Sequence, residues 1–511
     1  MKKIISIAFA AILAGFAISC QKEEVVSDKT DAVQYTFNIT VNDRSGFDNG
    51  ASTKGDATYK SAWENGDKIF LFFKPTEGSL LDDKYATLTY NGSSWDGTVS
   101  SGTSSLGDGG TLLAVYVYKL GSSVTPSYSD SKWIIATGNT FYNWQTGVTY
   151  TVSGDVISAT LNLVAPTNFV QFYVTSATGA LTCDQVKGWK DIAIGSDMAI
   201  SNVTCTGYMD GFDNSGDSNV KEYYGRIVNN GTSLKDQDCE FSVVKLGKVY
   251  ERTATPTSDA RSFKMTVSTP DWQEAEGKLP GLFTVGIGAD GKAGTADDVQ
   301  VRFSKGNLWT DQGVGVLHFE ENQYSSNSSW NPSYVSLLTW SSTAQEAANV
   351  SYSGENLFCD VNHKVSVDGG IYYALSLDEW TYLINKNGDE NIRKGKYKYG
   401  VTVCGKANCL ILAPDECLNG YSFDSTKTDY TPGEWATAEA AGLVCLPAAG
   451  YRRDMLFDEE GDDGYYWSSN KNQYDEHFAY CGVHFDSSNV DLGDSAERDY
   501  GYSIRLVTEV K

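Results

Sequence analysis

Histidine, methionine and basic residues are scarce in this sequence. Its 511 residues include 4 His and 5 Met, and 40 Lys and Arg stand against 65 Asp and Glu, for a formal net charge of −25. A nucleic-acid partner requires a basic face to meet its phosphates, so this charge argues against one. The same charge argues against a purely electrostatic attachment to anionic lipid.

Catalytic and metal-binding motifs are also missing. The sequence contains no P-loop, HExxH, CxxC pair or GxSxG. His477 and His484 could share a site in space or be exposed by chance; the other histidines, His318 and His363, lie far from them. Residues 290–298 combine carboxylates and glycines like a fragment of a calcium loop, but a solvated acidic turn is the alternative. We predict no enzymatic activity, no cofactor and no metal site.

The long apolar run of the sequence lies at its beginning. Lys2 and Lys3 precede an apolar stretch from Ile4 to Ile18, which is too short to span a membrane stably and predicts a signal peptide. The tetrapeptide that ends at Cys20 resembles the lipobox of bacterial lipoproteins, and this resemblance implies an acylated Cys20. An ordinary cleaved signal that contains a cysteine is the alternative. Residues 21–24 (Gln-Lys-Glu-Glu) resemble an acidic sorting signal for the surface of the outer membrane.

Composition favours β structure after this anchor. Tyr (31) and Gly (50) are abundant, and alternation at Tyr35, Phe37, Ile39 and Val41 predicts a half-buried strand. Short strands separated by Ser/Gly/Asp-rich loops are typical of antiparallel sandwiches. Further strands are expected at 68–73, 85–90, 111–118, 133–136, 169–174, 198–203, 224–228, 239–245 and 263–267.

The cysteines after Cys20 could form disulfide bonds or remain free thiols. Nine follow Cys20, and disulfides are permitted outside the cytoplasm. Cys404 and Cys409 flank the turn-like residues 405–408. They could bridge a hairpin, or both could be small buried side chains.

Two helices are predicted in the last part of the chain by their caps. The sequence from Ser376 to Glu379 is a capping box, followed by an apolar stripe at Trp380, Leu383 and Ile384. Thr431 to Glu434 is a second capping box with Pro at the first helical position, and we expect that helix to end at Gly442. Strands are expected at 443–446 and 503–507.

These patterns divide the chain into five segments. They are a signal peptide (1–20), a tether (21–33), a first β-sandwich (34–165), a second β domain (166–278) and an α+β domain (279–511).

The N-terminal half resembles the fimbrillin family of β-sandwich pilus subunits. The residues that carry the resemblance are Thr53-Lys54, the stretch from Ser61 to Ile69 and Ala114-Val115-Tyr116. Family members are cut by a trypsin-like protease near the first strand and are thought to polymerise by strand exchange. The resemblance therefore implies processing at Lys54 or Arg44.

The C-terminal half resembles the major paralogous (FISUMP) domain, whose fold is similar to C-type lectins. The resemblance is carried by several short stretches in order: 279–283, 301–308, 412–415, 446–452, 464–469 and 501–507. The resemblance implies a C-type-lectin-like fold for the last domain. The predicted fold class is therefore a mainly β protein with two antiparallel β-sandwich-type domains followed by an α+β C-type-lectin-like domain. Formylglycine-generating relatives use a copper-binding cysteine pair, but Cys445 and Cys481 lie on apolar strand patterns instead.

Residues 470–500 are the candidate binding loops. They are dense in Tyr, Asn, Ser, Asp and Gly, the residue types that dominate paratopes, although a plain polar surface is the alternative. Alternation at Ala479, Cys481, Val483 and Phe485 predicts a buried strand face with Tyr480 and His484 on the other side. The candidate ligand-binding residues are Asn470, Asn472, Tyr474, Asp475, Tyr480, His484, Asn489 and Tyr500.

The combined interpretation is a surface lipoprotein of the outer membrane, either a pilus tip or an accessory adhesin. Its expected partners are other pilus subunits, the membrane and a glycan or protein of a host or bacterial surface. The alternative is a glycan-binding surface lipoprotein of a polysaccharide-uptake system.

Overall fold

The computed structural model describes residues 35–41, 63–118, 123–136, 142–214, 216–228, 231–289, 297–327, 329–341, 343–348, 364–386, 392–472, 475 and 477–510. Cys20, Arg44, Lys54 and Tyr474 lie outside these residues, as do His363 and most of the loop 290–298. The described part is mainly β, which confirms the predicted fold class. None of its helices is long and apolar enough to cross a membrane.

A seven-stranded sheet is built around an almost uninterrupted apolar strand, in which the five side chains from Ile69 to Phe73 are buried. The strands of this segment are β1 (Thr36–Val41), β2 (Lys68–Pro75), β3 (Tyr85–Tyr90), β4 (Trp95–Val99), β5 (Gly109–Val117), β6 (Ser127–Ser129), β7 (Lys132–Ala136), β8 (Tyr142–Ser153) and β9 (Val156–Leu161). The order in the sheet is β1-β9-β8-β5-β2-β3-β4.

Strand β1 has the half-buried alternation that its sequence predicted. Thr36, Asn38 and Thr40 are exposed, while the residues between them pack on the core. Its pairing with β9 is parallel, although the segment was expected to be wholly antiparallel. The curled sheet also brings β4 close to β1, since a Cβ on Gly97 would lie 2.1 Å from the ring of Phe37.

The second segment forms a larger sheet that takes in two strands of the first. Its strands are β10 (Phe169–Thr175), β11 (Leu181–Cys183), β12 (Val186–Ile194), β13 (Ile200–Thr206), β14 (Phe212–Asp213), β15 (Val220–Ile227), β16 (Cys239–Lys245), β17 (Lys248–Ala254), β18 (Ser262–Thr266) and β19 (Gln273–Glu274). Strand β7 pairs with β12, and Trp133 and Trp189 belong to the same core. Hydrogen bonding therefore crosses the boundary predicted at 165/166. Strands β10 and β18 form a second parallel pair.

The last segment has three helices and eighteen strands among its described residues. They are β20 (Phe283–Gly286), β21 (Val299–Phe303), β22 (Leu308–Thr310), β23 (Leu317–Phe319), α1 (Ala344–Ala347), β24 (Val365–Val367), β25 (Gly370–Ala374), α2 (Leu377–Ile384), β26 (Tyr397–Val403), β27 (Lys406–Leu412), β28 (Asp429–Tyr430), α3 (Pro432–Ala440), β29 (Val444–Leu446), β30 (Tyr451–Arg453), β31 (Leu456–Asp458), β32 (Gly464–Lys471), β33 (Phe478–Phe485), β34 (Val490–Leu492), β35 (Ser495–Glu497), β36 (Tyr500–Gly501) and β37 (Leu506–Glu509). Strand β21 pairs with β37, so the two ends of this segment lie side by side. We call residues 279–511 the head.

Both predicted helix starts are confirmed. Ser376 Oγ accepts from Glu379 N at 3.2 Å, and the Glu379 carboxylate accepts from Ser376 N at 2.7 Å. At the second helix the Glu434 carboxylate accepts from Thr431 N at 2.9 Å, and Pro432 is the first helical residue. This helix ends at Ala440, two residues before the expected Gly442, and the final strand begins at Leu506 instead of Ser503.

The described cysteines are all free thiols, so the predicted alternative of a Cys404–Cys409 bridge is wrong. Val403 pairs with Lys406, which makes Cys404 and Gly405 the turn, with φ values of +51° and +85°. The turn thus lies one step earlier than residues 405–408. Cys409 is buried on the strand that follows.

Candidate functional site

Strand β33 separates a buried face from a partly exposed one, as predicted. Ala479, Cys481, Val483 and Phe485 are buried. His484 lies on the opposite face, directly across from Tyr465 of β32. Because successive residues of a strand point to opposite faces, this register brings the imidazole and the phenol ring together.

His484 is held between two carboxylates and an aromatic ring. Its Nε2 lies 2.9 Å from Asp463 Oδ1, and its Nδ1 lies 3.3 Å from Asp494 Oδ2. The imidazole stacks on Tyr465 with ring centroids 4.4 Å apart and an interplanar angle of 7°. About a quarter of the His484 side chain is exposed (23%), so its contacts fix its position without removing it from the surface.

Four tyrosines surround this histidine and form a continuous surface with it. Tyr465 stacks on Tyr502 at 4.9 Å and meets the edge of Tyr451 at 5.8 Å. Tyr500 lies 5.3 Å from Tyr451 and 6.2 Å from Tyr502. We call Tyr451, Tyr465, His484, Tyr500 and Tyr502 the aromatic face. Tyr502 is buried at its base, whereas the other four rings are partly exposed.

Carboxylates line the edge of the aromatic face. The Tyr465 hydroxyl donates to Glu459 at 2.7 Å, and burial followed by this hydrogen bond raises the pKa of the phenol well above its ordinary value. The Tyr451 hydroxyl donates to Asp458 at 3.5 Å. The guanidinium of Arg453 lies over the Tyr500 ring at 5.3 Å. The face therefore combines flat apolar rings with hydrogen-bond acceptors.

Glycines explain how three of these rings come so close together. Gly450, Gly464 and Gly501 each precede a tyrosine of the face, and a Cβ there would lie 2.0, 2.2 and 2.5 Å from its nearest heavy atom. A side chain at these positions would force the strands apart. The repeated Gly-Tyr dipeptide is the sequence signal that could have identified the three missed residues, Tyr451, Tyr465 and Tyr502.

Two of the predicted binding residues, His484 and Tyr500, belong to the aromatic face. Tyr480 is half-buried on β33 opposite Ser495, and Tyr474 lies outside the described residues.

The predicted amide and carboxylate groups form hydrogen bonds within the head. Asn470 Oδ1 accepts from Leu377 N at 2.6 Å, at the start of α2. Other hydrogen bonds join Asn472 to Ser495, Asp475 to the His477 backbone, and Asn489 to Asp486 and Asp491. These groups therefore shape the loops beside the rings.

Metal-ligating and thiol groups of the described residues are dispersed or buried. No group of three or more His, Cys, Asp or Glu among them could hold a metal ion. Burial raises the pKa of the Cys481 thiol to about 12, so this sulfur is not a nucleophile at neutral pH. Cys445 is fully buried, and burial raises the pKa of its thiol as well.

Comparisons with known proteins give remote similarities. No family model and no curated protein matches the chain. Among solved structures, a candidate adhesin from Bacteroides ovatus matches at 12% identity and a TM-score of 0.23, covering 50% of this chain and 99% of that one. A fimbrial protein from Bacteroides ovatus matches at 10% and 0.22, covering 93% and 99%. The fimbrial anchor protein Mfa2 from Porphyromonas gingivalis matches at 8% and 0.24, covering 48% and 96%.

Proposed function

We propose that this protein is a surface lipoprotein of fimbrillin type, a pilus tip or accessory adhesin that binds its ligand through the head. The observation that carries the proposal is the aromatic face. Partly exposed rings on a scaffold of paired strands offer contact area at low entropic cost, and rigid scaffolds with loops are where binding residues concentrate. The ligand class is a glycan or protein of a host or bacterial surface.

The rings and the carboxylates beside them have complementary roles in this proposal. Tyr451 and Tyr500 present ring surface to a sugar or a peptide side chain, and Glu459 and Asp463 accept hydrogen bonds from its hydroxyl or amide groups. Because few interface residues provide most binding energy, we expect the rings to dominate the affinity.

The proposal also includes an N-terminal membrane anchor: an acylated Cys20 would attach the protein to the outer membrane. The lipobox resemblance supports it, as does the resemblance of residues 21–24 to a surface-sorting signal.

Assembly with other pilus subunits is supported by the position of β1. This strand pairs with β9 at the edge of the sheet, and both Arg44 and Lys54 lie between it and β2. A cut at either residue would separate β1 from the rest of the chain. Its loss would expose the edge of β9 and the apolar surface under Phe37 and Ile39, where a strand of another subunit could bind.

Binding to an array tests the proposal that the head binds a surface ligand. A glycan and protein array probed with the full chain should give a signal that Tyr451→Ala and Tyr500→Ala together abolish. Tyr128→Ala is the matched control, because Tyr128 is an exposed tyrosine (38%) on β6, outside the head. Equal binding by the double variant and the control would place the site elsewhere.

Fractionation of sheared pili tests the proposal that the protein is processed and assembles with other pilus subunits. The sheared pilus fraction should contain this protein with a new N-terminus after Arg44 or Lys54. A pilus fraction that holds only chain beginning at Cys20, or none of this protein, contradicts strand exchange after processing.

A further inference from the structure

A three-stranded sheet carries part of the aromatic face on its outer side. Its order is β31-β30-β36, and Arg453 of β30 lies directly opposite Leu456 of β31 and Tyr500 of β36. Directly paired residues point to the same side of a sheet, as do residues two positions apart on one strand. Leu456, Arg453 and Tyr500 therefore form a row on the side that also carries Tyr451.

The hairpin that joins β30 to β31 exposes two large apolar side chains beside the rings. Met455, in the turn, is 59% exposed, and Leu456 is 76% exposed. A sugar presents mostly hydroxyl groups and gains little from such aliphatic side chains, whereas a protein partner can bury them against its own apolar residues. Aromatic residues, methionine and arginine are also enriched at protein–protein interfaces. The composition of this surface therefore favours a protein over a glycan.

The charges around the aromatic face favour a basic partner. Arg453 provides one positive charge, and a protonated His484 would provide a second. The carboxylates that contact the face or Arg453 outnumber these two cations: they are Asp458, Glu459, Asp463, Asp494 and Glu497. The surface is thus negatively charged in either state of the histidine, so it attracts a basic partner and repels an acidic one.

Arg453 shows how a basic side chain can bind to these rings. Its guanidinium lies 5.3 Å from the centre of the Tyr500 ring, and its Nη2 lies 4.0 Å from Glu497. Tyr451 offers a similar pair of groups, because its hydroxyl lies 3.5 Å from Asp458. Among the described residues, no lysine or arginine lies over the Tyr451 ring. A cation there would gain a cation–π interaction and a carboxylate neighbour.

We propose that the ligand of the aromatic face is a basic protein segment, in which an arginine or lysine lies over Tyr451 beside Asp458 and a neighbouring apolar side chain packs on Met455 and Leu456. This inference rests on the proposed function, because it presupposes that the head binds its ligand through the aromatic face. It narrows the ligand class to a protein with adjacent basic and apolar side chains.

The peptide acetyl-Leu-Arg-Leu-amide is the probe of this proposal, and acetyl-Leu-Glu-Leu-amide is its charge-reversed counterpart. Saturation-transfer NMR with the full chain should show saturable binding of the arginine peptide, weaker at high salt because salt screens exposed charges. The glutamate peptide and methyl β-galactoside should not bind measurably. Asp458→Asn keeps the shape of the side chain and should weaken binding of the arginine peptide about two- to fivefold, as expected for an exposed charge contact.

Matched variants outside the head keep the test decisive. Leu456→Ser removes an exposed apolar side chain and should weaken binding, whereas Leu246→Ser, at an exposed leucine (80%) between β16 and β17, should not. Asp217→Asn is the control for Asp458→Asn, because Asp217 is an exposed carboxylate between β14 and β15. The proposal is overturned if the arginine peptide shows no saturable binding, if the glutamate peptide binds equally, or if the variants match their controls.

The glycan and protein array separates a failure of this inference from a failure of the proposed function. If the double variant Tyr451→Ala and Tyr500→Ala loses signals from glycans alone, the head is an adhesin whose ligand is not a basic protein segment. If the double variant binds as well as the Tyr128→Ala control, the site lies elsewhere and the proposed function is wrong as well.

Discussion

Arg505 should contribute more to the stability of the head than any surface arginine. It is 2% exposed, and all five of its N–H donors are used. Nε donates to Asn307 Oδ1 at 2.9 Å. Nη1 donates to the Ser304 carbonyl at 3.3 Å and to Gln323 Oε1 at 3.4 Å. Nη2 donates to the carbonyls of Gln323 at 3.1 Å and Cys445 at 2.8 Å.

The substitution Arg505→Lys separates the contribution of these hydrogen bonds from that of the positive charge. A lysine keeps the positive charge but has three donors, so at least two of the five hydrogen bonds are lost. Each bond from a charged donor is worth about 1.5–3 kcal/mol, and the freed acceptors stay buried. We therefore expect the free energy of unfolding to fall by about 3 kcal/mol or more.

Urea unfolding of the full chain measures this loss, with Arg453→Lys as the matched control. The Arg453 side chain is 59% exposed and has one carboxylate contact, Glu497 at 4.0 Å. Exposed pairs of this kind contribute ~0–1 kcal/mol, so the control should shift the transition little. If Arg505→Lys unfolds at the same urea concentration as Arg453→Lys, the network does not stabilise the head as argued.

Three further predictions follow from other parts of the chain. Cys20→Ala should release the protein from membranes and abolish palmitate labelling; a membrane-bound variant, with neither form labelled, would show that the lipid anchor is absent. Asn470→Ala removes the acceptor for Leu377 N and should cost about 1 kcal/mol by urea unfolding, as other helix caps do, whereas an unchanged midpoint would show that water replaces the amide. Gly464→Ala would place a Cβ 2.2 Å from the Phe485 ring and should cost about 1–3 kcal/mol, so an unchanged melting temperature would contradict the packing argument.

Helix starts were the most predictable elements because their signals are local. Ser376 and Glu379 are three residues apart, and the hydrogen bonds that they exchange depend on little else. Helix and strand ends were less predictable. The helix expected to reach Gly442 stops at Ala440, because Ala441 is its C-cap and Gly442 has a φ of +97°, a left-handed conformation that ends the helix.

Parallel pairing of β1 with β9 was not predictable from the alternation in β1. A period of two indicates a half-buried strand but contains no information about its neighbour or its direction. The same limit applies to the sheet that joins β7 to β12, since these strands are about 55 residues apart in the sequence.

By itself the sequence determined the mainly β class, the two capped helices and the alternation that places His484 on the accessible side of β33. Each of these depends on residues within a few positions of one another. Only the tertiary structure decided the aromatic face. Tyr451, Tyr465 and Tyr500 come from three different strands. Such sites depend on strand register and on which segments pack together, and these are set by the burial of the whole core.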